Sequence, residues 1–183
     1  MKPKKRLIRK KIGETTTVDM IYDSNGNLIK ELFNNGQFIS HSYDENNRLI
    51  ETNNLDQVLY KYEYDENGRV SSIKHFDIEE GEYDTESFET IFTYDENGNC
   101  IRRDDGDGFV IDYEYDSEGR VIREYSYHWD DTRRYKYSPS GLLVEKRNDS
   151  GYFESYEYDN EGYLICTTKM QRSKTYYEYE TIE

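Results

Sequence analysis

The stretch Tyr-Asp-Glu-Asn-Gly-Arg-Val at residues 64–70 returns as YDSEGRV at 115–121 and, shortened, as YDENGN at 94–99. Outward from these, a tyrosine followed by a turn recurs as Tyr22-Asp23, Tyr43-Asp44, Tyr64-Asp65, Tyr94-Asp95, Tyr115-Asp116, Tyr137-Ser138, Tyr158-Asp159 and Tyr179-Glu180, at intervals of 21, 21, 30, 21, 22, 21 and 21 residues. A fixed period is the signature of a repeat architecture, in which each unit is one supersecondary element leaning on its neighbours. One period before Asp23 stands Lys2, followed by Leu7-Ile8 where later units carry Leu28-Ile29 or Val121-Ile122. The basic start is therefore a first half-unit, and the chain holds a whole number of units.

The third residue after each anchor is Gly26, Asn47, Gly68, Gly98, Gly119, Gly141 or Gly162. These types accept positive φ, so D-x-x-G reads as a three-residue hairpin loop closed in the left-handed region. Such a loop sets the tyrosine opposite the residue five after the anchor (Leu28, Leu49, Val70, Cys100, Val121, Leu143, Leu164). Period two adds the residue three before it: Met20, His41, Tyr62, Phe92, Tyr113, Tyr135, Tyr156 and Tyr177. One face carries a ladder of aromatics. The opposite end of each unit turns through Asn34-Asn35-Gly36, Asp107-Gly108 or Asp149-Ser150-Gly151. The pattern predicts an all-β fold over residues 1–183 as one domain. It is a repetitive antiparallel β-hairpin meander of about eight units and fifteen or sixteen strands. At ~4.8 Å per strand this makes a strip on the order of 75 Å long, curled or superhelical, with the ladder on its concave side.

The repeated residues resemble the YD repeats of the RHS and teneurin-type family, whose pattern is Y-D-x-x-G-R-L at this repeat length, and the resemblance covers essentially the whole chain. It implies a strip of β-hairpins, which in large bacterial members spirals into a hollow shell around a toxic cargo domain. This chain is too short to close such a shell, has no Asp-Pro dipeptide of the kind that marks self-cleavage in those toxins, and carries no non-repeat C-terminal domain. The resemblance extends to fold, and not to shell or protease function.

Composition narrows the partners. A formal charge of -15 over 183 residues disfavours nucleic acid and anionic membrane surfaces. The 20 tyrosines argue for a folded chain despite a mean hydropathy of -1.11. The N-terminus lacks the apolar run of an export signal, and two cysteines do not make a disulfide framework, so a reducing cytoplasm is expected.

The anchor carboxylates read as caps of their own turns rather than as a metal array. Asp104-Asp105-Gly106-Asp107-Gly108 is a poor calcium loop, because its alignment puts Arg103 at the first ligand position and strands where helices are needed. His41, His75 and His128 fall in different units, and Cys100 fills a core-facing apolar slot. No catalytic constellation, metal site or cofactor site is read, and the chain is expected not to be an enzyme.

Two features break the repeat, and function is expected where the pattern fails. The long interval holds nine extra residues within DIEEGEYDTESFE, where Asp77, Glu79, Glu80, Glu82, Asp84, Glu86 and Glu89 cluster. The only tryptophan, Trp129, stands beside Asp130 and Asp131 at a turn, on the same rim as the insertion. Without its first eleven residues the chain has 17 basic and 39 acidic side chains, a net of -22, suited to steering onto a basic protein. The leading expectation is a cytoplasmic immunity-type inhibitor that binds a basic toxin domain through Asp77, Glu79, Glu80, Glu82, Asp84, Glu86, Trp129, Asp130 and Asp131. The alternative is a structural or adhesive repeat module, or a relic of a shell, whose exposed tyrosines bind glycans or another strip.

Overall fold

A computed structural model describes residues 4–182 apart from 14, 56, 80, 81, 107, 171 and 172, with backbone alone at 4, 5, 77–79, 82–87 and 182. The described residues form strands and no helix. In the first half these are β1 (Lys4–Ile12), β2 (Thr16–Tyr22), β3 (Leu28–Phe33), β4 (Phe38–Tyr43), β5 (Leu49–Asn54), β6 (Gln57–Tyr64), β7 (Val70–Glu79) and β8 (Glu82–Tyr94). The second half has β9 (Cys100–Asp104), β10 (Val110–Tyr115), β11 (Val121–Ser126), β12 (Asp131–Tyr137), β13 (Leu143–Asn148), β14 (Phe153–Tyr158), β15 (Leu164–Lys169) and β16 (Ser173–Ile182). Each pairs antiparallel with the next, as hairpins joined by short loops must.

The D-x-x-G loops have the geometry their sequence requires. Gly68 and Gly119 have φ of 76° and 74°, and Asn47 takes the same conformation at 59°. The Asp65 carboxylate accepts the Asn67 and Arg69 backbone N–H groups on Oδ1 at 2.9 and 2.8 Å, while Oδ2 accepts Arg69 Nε at 2.7 Å. A bulge between Glu63 and Tyr64 then sets Tyr64 opposite Val70, the pairing read from sequence.

Each unit is also tied to the one before it. Tyr64 donates its hydroxyl to the Leu49 carbonyl at 2.7 Å, and Tyr22, Tyr43, Tyr94, Tyr115, Tyr137, Tyr158 and Tyr179 make the equivalent bond at 2.7–2.9 Å. The arginine of the YDxxGR motif bridges units as well: Arg48 pairs with its own Asp44 and lies 4.6 Å over the Tyr64 ring. Arg69 over Tyr94 and Arg120 over Tyr137 repeat the arrangement at 4.5 and 4.9 Å. The motif is thus a turn, a strand anchor and an inter-unit clasp in one stretch.

The open strip expected from sequence is corrected in one respect, because the sheet closes into a barrel of sixteen strands with β1 between β2 and β16. Leu7 faces Tyr179 as Leu28 faces Tyr22. Arg6 Nε reaches Glu180 Oε1 at 2.8 Å, as Arg48 reaches Asp44, and the Arg6 guanidinium lies 4.8 Å over Tyr22. The first half-unit therefore supplies the hairpin partner that the last unit lacks, with side chains replacing the missing loop. Twist accumulated over so many strands brings the ends together, and pairing removes two edges that would otherwise template aggregation.

The barrel is hollow. Sixteen strands at ~4.8 Å give a circumference of about 77 Å and a backbone diameter of roughly 25 Å, too wide for opposed side chains to meet. Among the described residues the backbones that approach one another are those of strands adjacent in the wall, and of β6 and β8 beside the long hairpin, while Lys10 of β1 reaches past β2 to Glu31 of β3 at 3.5 Å. The accessible surface is 12250 Å², against about 9,300 Å² for a compact monomer of this mass. Among the described residues the buried apolar ones are Val18, Met20 and Cys166, fewer than the buried polar set that includes Thr52, Thr90, Thr167 and Glu154. In most strands the ladder face is the less exposed one, as in β14, where Glu154 is buried and Glu157 on the other face is exposed, while in β15 the outward Cys166 is buried as well.

Candidate functional site

The two rims differ in chemistry. The D-x-x-G rim uses glycine or asparagine wherever φ is positive, whereas the opposite rim places Leu55, Asp130 and Met170 there, at 55°, 45° and 51°. Leucine and methionine rarely adopt this conformation, and such strain collects at functional surfaces. The same rim exposes Leu55, Tyr127, Trp129 and Met170.

Trp129, 69% exposed, sits in the turn between β11 and β12, so it does not pack in a core. The turn is held firmly. Tyr127 N–H donates to the Val110 carbonyl at 3.0 Å, and the Tyr125 hydroxyl donates to Asp130 Oδ1 at 2.6 Å. The His128 ring stands at 87° to Trp129 with centroids 4.5 Å apart, and stacks on Phe109 at 3.7 Å.

Beneath this cluster is a recess of about 260 Å³ lined by Arg103, Phe109, Ile111, Glu124, Ser126, Trp129, Asp131 and Arg133. Register explains the grouping, since Arg103, Ile111, Ser126 and Asp131 are successive cross-strand partners. Glu124 Oε2 accepts Arg133 Nη1 at 2.7 Å, and its other oxygen accepts the Tyr135 hydroxyl. Arg103 makes a two-pronged pair with Asp105 at 2.9 and 2.5 Å, and Asp105 also accepts from Thr90 at 2.9 Å. Burial, with Glu124 close by, pushes the Tyr113 hydroxyl up to about 12 and that of Tyr135 higher still. Both phenols are neutral donors at ordinary pH.

Of the residues singled out from sequence, Trp129, Asp130 and Asp131 come together. Asp130 is bound to Tyr125, and Asp131 accepts from Asn148, from Asp149 N–H at 3.2 Å and from Ser150 at 2.9 Å. Asp77, Glu79, Glu82, Asp84 and Glu86 fall in the β7–β8 hairpin on the same rim, four strands round the wall, with Asp77 opposite Thr85 and Glu79 opposite Glu82. Glu80 lies outside the described residues. Arg103, Glu124, Arg133 and Phe109 were missed, because only the strand register brings them under Trp129. Asp104 accepts Gly106 N–H at 3.0 Å within its own loop, while Asp105 is held by Arg103 and by Thr90 of β8. Among the described residues no three His, Cys, Asp or Glu groups gather as metal ligands.

No curated protein matches the sequence. Among solved structures the chain is similar to TcdB2-TccC3 without its hypervariable C-terminal region, at 18% identity and a TM-score of 0.43 over 87% of this chain and 9% of that one. It is also similar to the Photorhabdus luminescens Tc holotoxin pore, at 14% identity and a TM-score of 0.31 over 83% of this chain and 12% of that one. The chain thus spans about a tenth of the length of these structures. The family model of the teneurin YD-shell matches residues 4–138, well over half of the sequence, on the repeat units described above, and the chain belongs to that family.

Proposed function

We propose that this chain is a non-enzymatic structural module, a self-closed YD-repeat ring that contacts a partner through the rim opposite its D-x-x-G loops. The observation that carries this reading is the asymmetry of the rims. One has the residues its turns require, while the other keeps strained Leu55 and Met170 and an exposed Trp129. The repeated tyrosines, aspartates and arginines are committed to the wall, which leaves the departures from the repeat for recognition. The outward face mixes Glu63, Glu114, Lys136 and Glu157 with exposed Ile21, Ile91 and Ile122, so charged and apolar side chains alternate around it.

The family match supports the module over the toxin inhibitor, for which charge is the only support. That charge favours a partner with a basic surface, attracted from a distance. The cytoplasmic placement stays within the proposal and rests on the sequence alone. Carbodiimide crosslinking of the full chain in its source cell, which joins carboxylates to amines, is expected to trap a second chain at the carboxylates between residues 77 and 89. Crosslinks confined to the D-x-x-G loops, or none to another chain, overturn the reading.

A further inference from the structure

The wall follows one rule of pairing, and β1 obeys it across the two ends of the chain. Strands joined by a D-x-x-G loop pair along their length, as β2 and β3 do from Val18 to Tyr22. Strands joined on the opposite rim pair near their turn, as β3 and β4 do at residues 30–32. β1 pairs with β16 from Lys4 opposite Ile182 to Ile12 opposite Thr175, but with β2 only from Arg9 opposite Asp19 to Ile12 opposite Thr16. Even the Gly13 N–H, in the loop that leads to β2, donates to the Lys174 carbonyl of β16 at 3.1 Å. β1 is thus one half of a hairpin unit whose other half stands at the far end of the sequence.

We propose that β1 is exchanged between two copies of this chain, each donating it to the slot between β2 and β16 of the other. The inference names a second copy as a partner of the rim opposite the D-x-x-G loops, and so rests on the reading of that rim as a contact face. Charge supports it. The first eleven residues hold seven cationic side chains and no acidic one, while the remainder is net -22, so a second copy carries the basic surface that this acidic body attracts. Within the ring Arg6 pairs with Glu180, Arg9 Nε donates to Asp19 Oδ1 at 2.6 Å, and Lys10 lies 3.5 Å from Glu31. The strand is therefore gripped by carboxylates of β16, β2 and β3. Each of these contacts, and each backbone pair, is remade unchanged when the strand comes from another copy.

The linker permits the exchange. Opened out, residues 13–15 span about 13 Å between Ile12 and Thr16. Gly13, at a φ of 62°, has no side chain to resist the change from a turn to an extended backbone. The linker stands on the rim that exposes Leu55, Trp129 and Met170, so reciprocal exchange sets two rings rim to rim with those side chains turned toward the other copy. Two effects oppose it. A short linker holds β1 beside its own slot at an effective concentration in the ~mM range, so exchange competes when the protein is itself concentrated. Two acidic bodies also repel each other, and salt screens that repulsion.

The test uses the full chain and traps the donated strand where it lands. Lys11 faces Tyr176 of β16 on one side and Thr17 of β2 on the other, and both Lys11 and Tyr176 are exposed. A Lys11→Cys copy is mixed under reducing conditions with a Tyr176→Cys copy, or with a Thr17→Cys copy, and then oxidised. Peptide mapping separates bonds at these positions from any at Cys100 or Cys166. A disulfide from position 11 of one copy to position 176 or 17 of the other is expected, at least about tenfold more abundant at ~1 mM chain than at ~10 µM. The double variant Lys11→Cys/Tyr176→Cys should close within one chain at either concentration. The proposal is overturned if the double variant closes but the mixed copies do not join at ~1 mM, or if they join at position 176 and not at 17, which would leave β1 on its own β2. It is overturned as well if the double variant does not close, because β1 would then not lie beside β16. Crosslinks from residues 77–89 to a different protein, in a chain that never exchanges β1, would leave the structural module and its contact rim standing while this inference fails.

Discussion

Tyr115 differs from a phenylalanine by one hydroxyl, and that hydroxyl donates to the Cys100 carbonyl at 2.7 Å. Tyr115→Phe keeps the ring in the ladder and leaves a half-buried carbonyl unpaired, so it should cost about 1 kcal/mol in urea melts. In an open strip Tyr22 and Tyr179 would matter less than a central tyrosine. In the closed wall both make the same bond, and Tyr22→Phe and Tyr179→Phe should cost as much as Tyr115→Phe. Losses that fade toward the chain ends would contradict closure in solution.

Ionisation at single residues sets a pH window. Hydrogen bonds from the Arg48, Arg69 and Arg120 backbones hold the Asp44, Asp65 and Asp116 carboxyls below their usual range. A folded-state value below the unfolded one gives stability that is present above the unfolded value of ~3.9 and is lost as pH falls through the lower folded value. Burial raises the ladder tyrosines, Tyr113 to about 12. Their contribution is complete below the unfolded value of ~10 and is lost as pH rises through the folded values. A plateau between about pH 5 and 9, with loss on both flanks, is the expected stability profile by circular dichroism. Asp65→Asn should lower the plateau and soften the acid flank.

Among the elements, the D-x-x-G hairpins were fully legible, because every signal lies within seven consecutive residues: capping carboxylate, positive-φ residue and arginine. Gly68→Ala or Gly119→Ala should cost roughly 1–2 kcal/mol for a left-handed alanine, and the asparagine variants less, since Asn47 already occupies the position. Equal effects of alanine and asparagine would contradict the loop geometry. The tyrosine hydroxyl bond was not legible, because its acceptor is a backbone carbonyl 15 residues away, and any residue type has one. The recess was not legible for a related reason. Trp129 was marked by its rarity, but Arg103, Glu124 and Arg133 look like ordinary charged residues of exposed strands until register stacks them. The acidic insertion was visible as composition, and composition alone does not say what a rim holds.

For the molecule as a whole, twist and strand count predicted a curled sheet, but whether it closes depends on contacts between its first and last strands. No local pattern records these, although the half-unit at the start left room for them. The junction of β1 and β16 has the same tyrosine–leucine pairing, the same guanidinium–carboxylate contact and the same ring stacking as an internal hairpin, and it lacks only the peptide link. The wall thus has no privileged first strand, and the order of its units along the polypeptide is cyclic. A circular permutant that joins Ile182 to Lys4 through a loop of the Asp-x-x-Gly type, and opens instead within residues 95–98, should fold to the same circular dichroism spectrum with a stability within about 1 kcal/mol of the parent. A permutant that fails to fold would mean that the present junction is more than an unlinked hairpin. If it folds, any turn of the ring can serve as the place where a fusion partner is attached, so either rim of the ring can be turned toward that partner by choice of cut.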